Sequence, residues 1–145
     1  MGTALLRRAL LGWLLVVLCI TELPLAQGAD SAASPIRRYS IVSGAEGVPL
    51  NVIEQGAAGQ PVIVLVHGFG QSHASFEAQF TASELNRHFR LVSYDLRGHG
   101  LSGKPWSREA YTTSGNWADD LSRVIDATGA RKVVLLGWSY GTLVI

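Results

Sequence analysis

Val62-Ile63-Val64-Leu65-Val66 is a run of five branched apolar residues with no polar position among them. A strand with one face in water alternates, whereas a strand apolar on both faces is covered on both, as in a parallel sheet flanked by helices. Lys132-Val133-Val134-Leu135-Leu136 repeats the pattern, and Phe89-Arg90-Leu91-Val92-Ser93-Tyr94 is a further β-prone segment between the two. Each segment is followed by a glycine-bearing stretch: His67-Gly68-Phe69-Gly70, Asp95-Leu96-Arg97-Gly98-His99-Gly100-Leu101-Ser102 and Gly137-Trp138-Ser139-Tyr140-Gly141.

The intervening sequence is helical in pattern. After His67-Gly68-Phe69-Gly70, Ser72 or Ser75 can cap a helix whose Phe76, Phe80 and Leu85 share a face, ending near His88. From Asn116, Trp117, Leu121, Val124, Ile125 and Thr128 recur at helical spacing, with Ser122, Arg123 and Asp126 on the opposite face. Asp119 and Asp120 read as first-turn charges and Gly129 as the stop. Lys104 to Gly115 contains Pro105, shows no period and reads as irregular. Upstream, Tyr39 to Val42 and Leu50 to Glu54 flank the turn-rich Ser43 to Gly47, which predicts a hairpin. The alternation of strand and helix predicts an α/β fold with a mostly parallel open sheet and helices on both faces. Functional sites of such sheets lie at the carboxyl ends of the strands, where all three glycine-bearing loops emerge.

Composition narrows the class. Arg7 and Arg8 precede an apolar stretch from Ala9 to Ile20, and Ala26-Gln27-Gly28 offers small residues for cleavage. This pattern predicts a secretory signal over residues 1–28, cleaved after Gly28, and a secreted or periplasmic product with no stable membrane association. The uninterrupted apolar run falls short of the ~20 residues that span a bilayer. Residues 29–36 read as a leader and 37–145 as the fold. The only cysteine, Cys19, lies within the signal, so the mature chain has no disulfide and no thiol chemistry. Removing Arg7, Arg8 and Glu22 leaves ten basic and ten acidic residues, which points away from a nucleic-acid partner. A hydrophobic fraction of 48% suits one globular domain with a substantial core.

Ser139 is bracketed by Gly137 and Gly141 between an apolar strand and a segment able to open a helix. A serine at so sharp a turn has a strained backbone and an outward hydroxyl, and side chains at the flanking glycines would collide with the strand and the helix. Such a hydroxyl becomes a nucleophile when a base takes its proton and donors await the oxyanion. The backbone N–H groups of Tyr140 and Phe69 are the expected oxyanion donors. Gly68 and Gly70 let their loop approach a substrate closely.

Residues 37–145 resemble the amino-terminal part of an α/β-hydrolase, on the strength of HGFG, DLRGHGLS and GWSYG in that order, each after a strand. HGFG and the string ADDLSRVIDATG are most similar to small serine hydrolases of the esterase and cofactor-free haloperoxidase type. Lipases with HGGG and prolyl aminopeptidases with HGGPG match less well. Haloalkane dehalogenases and epoxide hydrolases of this fold usually place aspartate at the elbow, where this chain has Ser139. The resemblance implies that His67 shapes the oxyanion loop and is not the base. His99 reads as a loop-packing residue beside Asp95 and Arg97, and those two are placed to pair and hold their loop. His73 and His88 are expected on the surface. No spacing of histidines or carboxylates suggests a metal, and no cofactor is implied. Trp106, Trp138 and Tyr140 are candidate pocket residues.

In this family the triad runs serine, acid, histidine. Six residues follow Ser139, so the acid and the base are expected outside this sequence, and the chain reads as a truncated piece of a hydrolase, inactive alone. The last strand is expected to keep one side unpaired. The expected function is hydrolysis of an ester or related acyl bond of a small molecule through an acyl-Ser139 intermediate. The alternatives are a haloperoxidase-like or thioesterase variant, and a non-catalytic binding protein on a hydrolase scaffold.

Overall fold

The structure is a computed structural model and describes residues 36–145. The predicted signal, 1–28, and residues 29–35 of the leader lie outside the described residues. Among the described residues five strands form one sheet: β1 (Arg38–Ser43), β2 (Pro49–Gln55), β3 (Val62–Val66), β4 (Arg90–Tyr94) and β5 (Val133–Gly137), in the order β1-β2-β4-β3-β5. β3 pairs in parallel with both β4 and β5, while β2 is antiparallel to β1 and to β4. Only β2 therefore runs against the rest. β1 and β2 form the expected hairpin.

The apolar run of β3 is explained by its two neighbours in space. Val62, Val64 and Val66 join Leu50, Val52, Val92 and Tyr94 in one core, closed by Trp117, Leu121 and Val124 of α4 (Ser114–Thr128). Leu65 faces the other way, with Ile53, Leu91, Phe76 and Phe80. Burial of each such side chain stabilises the fold by about 1.5–3 kcal/mol. In the sheet β5 pairs only with β3 among the described residues, and its Val134 and Leu136 are 57% and 47% exposed.

The segment from Ser72 to His88 departs from the single helix expected. It consists of a 3-10 turn (His73–Phe76), α1 (Glu77–Thr81) and α2 (Ser83–His88), broken where Ala82 turns extended at φ −68° and ψ 102°. Side chains take over the backbone bonds at the break: Gln55 Nε2 and Asn86 Nδ2 donate to Phe80 O at 2.9 and 2.6 Å, and Thr81 Oγ1 bonds back to Glu77 O at 3.0 Å. Polar side chains that satisfy backbone carbonyls in this way compete with helix propagation. Ser72 supplies the cap, accepting from Ala74 N–H at 3.3 Å.

The stretch read as irregular contains α3 (Glu109–Thr112), and α4 begins at Ser114, two residues before its expected start. Asp119 and Asp120 consequently lie in the second turn. Asp120 is no surface charge: it is 1% exposed. Gly129, at φ +66°, ends α4 in the left-handed conformation as expected.

Candidate active site

The turn after β5 is held backbone against backbone. Trp138 N–H donates to Val66 O at 2.9 Å, tying the turn to the end of β3. A Cβ at Gly141 would fall 2.2 Å from Val66 O, and one at Gly137 would fall 2.6 Å from the carbonyl carbon of Gly141. Neither position admits a side chain. Between them Ser139 sits at φ +52°, a left-handed conformation that costs an L-residue about 1–2 kcal/mol. The following residues form a 3-10 turn, Ser139–Leu143, in the segment read as able to open a helix. Ser139 is exposed, and no described residue hydrogen-bonds its Oγ.

The loop after β3 packs directly on this turn, since a Cβ at Gly68 would lie 3.1 Å from Ser139 Cβ. Gly68 is saturated: its N–H donates to Gln71 Oε1 at 3.1 Å and its carbonyl accepts from Gln71 N–H at 3.2 Å. Among the described residues neither Phe69 N–H nor Tyr140 N–H has an acceptor. The two rings meet edge to face, their centroids 6.1 Å apart.

His67 lies beneath this loop, fully buried. Its Nε2 accepts from Leu96 N–H at 3.0 Å, which leaves Nδ1 as the donor to Gly68 O at 2.7 Å. Burial holds its pKa below the ordinary histidine value. A neutral ring with both nitrogens engaged cannot take a serine proton without breaking one of these bonds.

A family model described as the alpha/beta hydrolase fold matches residues 61–145, the span from β3 through the Ser139 turn. The chain belongs to the alpha/beta-hydrolase family. Among its relatives, Epoxide hydrolase A of Mycobacterium tuberculosis is 35% identical over 99 residues, covering 68% of this chain and 30% of that protein. A Synechocystis protein designated a non-heme chloroperoxidase is 40% identical over 89 residues, 61% of this chain and 30% of that one. Of the solved structures, a protein designated an aryl esterase from Burkholderia cenocepacia superposes with a TM-score of 0.71 at 45% identity, covering 74% of this chain and 39% of its own. An epoxide hydrolase from Vigna radiata gives 0.67 at 30% identity, with 74% and 33% covered. The chain spans about a third of the length of these hydrolases.

In this alpha/beta-hydrolase the loop after β4 is built differently from the other two. Asp95 and Arg97 do not pair with each other; each anchors a separate network. The Asp95 carboxylate, wholly buried, accepts from His73 N–H at 2.7 Å, His73 Nδ1 at 2.8 Å, Asn51 Nδ2 at 3.0 Å and Leu101 N–H at 2.8 Å. Burial pushes its pKa up, and the hydrogen bonds from Leu101, His73 and Asn51 more than offset this, leaving it below the usual carboxylate value. Gly100 is required beside it, since a Cβ there would lie 2.3 Å from Asp95 Cγ. Arg97 is equally buried and makes a forked pair with Asp120, Nε to Oδ2 at 2.7 Å and Nη2 to Oδ1 at 2.8 Å. Its Nη1 donates to Ala110 O at 2.8 Å, and Asp120 Oδ1 accepts from Ala45 N–H at 2.8 Å.

His73 was expected on the surface; its side chain is only 22% exposed because Asp95 draws it in. A histidine oriented by a buried carboxylate has the form of a catalytic pair, yet no hydrogen bond joins it to Ser139 among the described residues. His88 is exposed as expected. His99 Nδ1 donates to Arg97 O at 2.9 Å, and its ring stands edge to face against His67 at 5.3 Å and Phe69 at 5.5 Å. Trp106 projects wholly into solvent, while Tyr140 lines a cleft of about 590 Å³ together with Phe69, Gln71, His99, Tyr111 and Trp117. Trp138 borders a separate hollow beside Leu136.

Asp120 carried a signal in the sequence that its reading as a first-turn charge missed. It stands three residues after Trp117 and four before Val124, on the apolar stripe, where a charge must find a buried partner. The partnership of His73 with Asp95 has no such signature.

Proposed function

We propose that Ser139 is the nucleophile of a hydrolase acting on an ester or related acyl bond. Its oxygen attacks the substrate carbonyl, the oxyanion is received by Phe69 N–H and Tyr140 N–H, the alcohol leaves, and water releases the acid from acyl-Ser139. The observation that carries this reading is an exposed serine with a free hydroxyl, in a turn packed against the Gly68 loop, beside two backbone donors, Phe69 N–H and Tyr140 N–H, that have no acceptor among the described residues. His67, Gly68 and Gly70 shape the oxyanion loop in this reading, Gly137 and Gly141 shape the turn, and Asp95, Arg97 and His99 hold the loop beside it. The general base and its orienting acid are not assigned among the described residues in this reading; the matched segment covers only 30% of the length of these relatives. Export rests on the sequence of residues 1–28 alone.

The relatives named epoxide hydrolases suggest a second substrate class, and chemistry decides against it. A serine oxygen opening an epoxide would form an ether, which has no carbonyl for water to attack. Only a carboxylate nucleophile gives a cleavable ester in that reaction. The test is rapid-quench hydrolysis of an activated acetate by the full-length protein, with the quenched protein digested and weighed. Acetyl on the peptide carrying Ser139, absent from Ser139→Ala, is expected. Undiminished turnover in Ser139→Ala would overturn the proposal.

A further inference from the structure

The cleft beside Tyr140 has a chemistry of its own. Its walls form a continuous series of rings in edge-to-face or tilted contact: His99 with Phe69 at 5.5 Å, Phe69 with Tyr140 at 6.1 Å, Tyr140 with Trp117 at 5.5 Å, and Trp117 with Tyr111 at 6.4 Å. Two of the polar tips are spent inside the protein. Tyr111 Oη donates to Pro105 O at 2.9 Å and Trp117 Nε1 donates to Tyr111 O at 3.0 Å. Phe69 is 77% exposed, so the ring nearest the oxyanion loop is open to a ligand. At about 590 Å³ the cleft lies within the size range that encloses small molecules.

We propose that this cleft is a subsite for an uncharged aromatic ring carried by the substrate. The inference rests on the serine acyl-transfer reading, because Phe69 and Tyr140 belong both to the cleft and to the oxyanion site. Rings arrayed edge to face reward a further ring beyond the area it buries, whereas a saturated ring of equal size gains the area alone. The charge pattern excludes the other natural guest of an aromatic cage, a quaternary ammonium. Among the described residues no acidic side chain lines the cleft, and the Arg97 guanidinium already lies 6.0 Å from the Trp117 ring. Among the described residues no lysine or arginine lines it either, so no fixed positive side chain favours an anionic substituent on the ring.

The test uses the full-length protein and matched esters differing only in aromaticity. Benzyl acetate against cyclohexylmethyl acetate examines the alcohol side, and methyl phenylacetate against methyl cyclohexylacetate the acyl side. The expected result is an aryl preference in kcat/KM of about five-fold or more in one pair, the scale of one aromatic contact. In Phe69→Leu and Tyr140→Leu, which keep the backbone N–H groups, that ratio should fall toward one. Ratios near one in the wild type, with hydrolysis dependent on Ser139, would overturn the subsite and leave the acyl-transfer reading standing. A preference for the acetate of a trimethylammonium alcohol would also overturn it. If no ester is hydrolysed in a Ser139-dependent manner, the acyl-transfer reading fails. The subsite is then judged by tryptophan fluorescence: phenylacetamide should bind more tightly than cyclohexylacetamide, and equal or no binding refutes it.

Discussion

Two serines stand in glycine-rich loops at the same end of this sheet, and their surroundings are opposite. Ser102, after β4, is 3% exposed; its Oγ accepts from Asn51 N–H at 2.9 Å and donates to Asp95 O at 2.5 Å. Ser139, after β5, is exposed and has no such partner among the described residues. The contrast extends to the loops. In Asp95–Ser102 the carboxylate, the guanidinium and the hydroxyl are all satisfied internally, whereas among the described residues Tyr140 N–H in the strained Ser139 turn and Phe69 N–H in the loop packed on it have no acceptor. Residue types suited to chemistry thus serve as structure where their hydrogen bonds are complete, and are available to a substrate only where they are not.

The comparison can be broken most severely at the hydroxyls. Ser139→Ala in the full-length protein should lower ester kcat by about 10⁴-fold or more, with the melting temperature nearly unchanged. Ser102→Ala should keep its turnover where folded while losing about 1–3 kcal/mol of stability, measured by urea unfolding, because Asn51 N–H loses its buried acceptor. A catalytic loss in Ser102→Ala with full stability would erase the distinction.

Next in size is the buried pair. Arg97→Ala should cost about 3–5 kcal/mol, since Asp120 is left buried and uncompensated, and Arg97→Lys should recover only part because an ammonium cannot make the fork. Calorimetric melting of the two variants checks this. Equal stability of both with the wild type would show that the loop does not depend on its network.

The smallest effect expected is on pH. Burial lowers the His67 pKa in the folded protein, so below the unfolded value of about 6.5 the unfolded chain binds more protons and stability falls as the pH drops toward the folded value. Asp95, also lowered when folded, adds a second loss as the pH falls below about 3.8, the ordinary aspartate value. Urea unfolding at about pH 7.5 and about pH 5.5 should show the first loss, and His67→Gln should flatten it. A slope unchanged in His67→Gln would place the acid sensitivity elsewhere.

Much of this was legible in the residues. The apolar run of β3 required cover on both faces and has it, and the stripe from Trp117 to Thr128 required one face of α4 in the core. Gly137 and Gly141 announced a turn too tight for side chains. The break at Ala82 was not legible, because it depends on Gln55 and Asn86 reaching Phe80 O across 25 and 6 residues of sequence. The partners of Asp95 and Arg97 were misjudged for the same reason: sequence neighbours looked like a pair, while the fold offered each a better-placed partner 22 or 23 residues away. Local spacing reports periodicity and turns, and it marks Asp120 as a charge that needs a buried partner, but it does not say which distant residue that partner is.

The most direct test is labelling of the full-length protein by an activated fluorophosphonate, with the modified residue located by tandem mass spectrometry. Phosphonylation of Ser139 alone, absent in Ser139→Ala and retained in Ser102→Ala, is the predicted result. Label on Ser102, on a histidine of the described loops, or undiminished in Ser139→Ala would contradict the claim that the unsaturated turn is where this molecule does its chemistry.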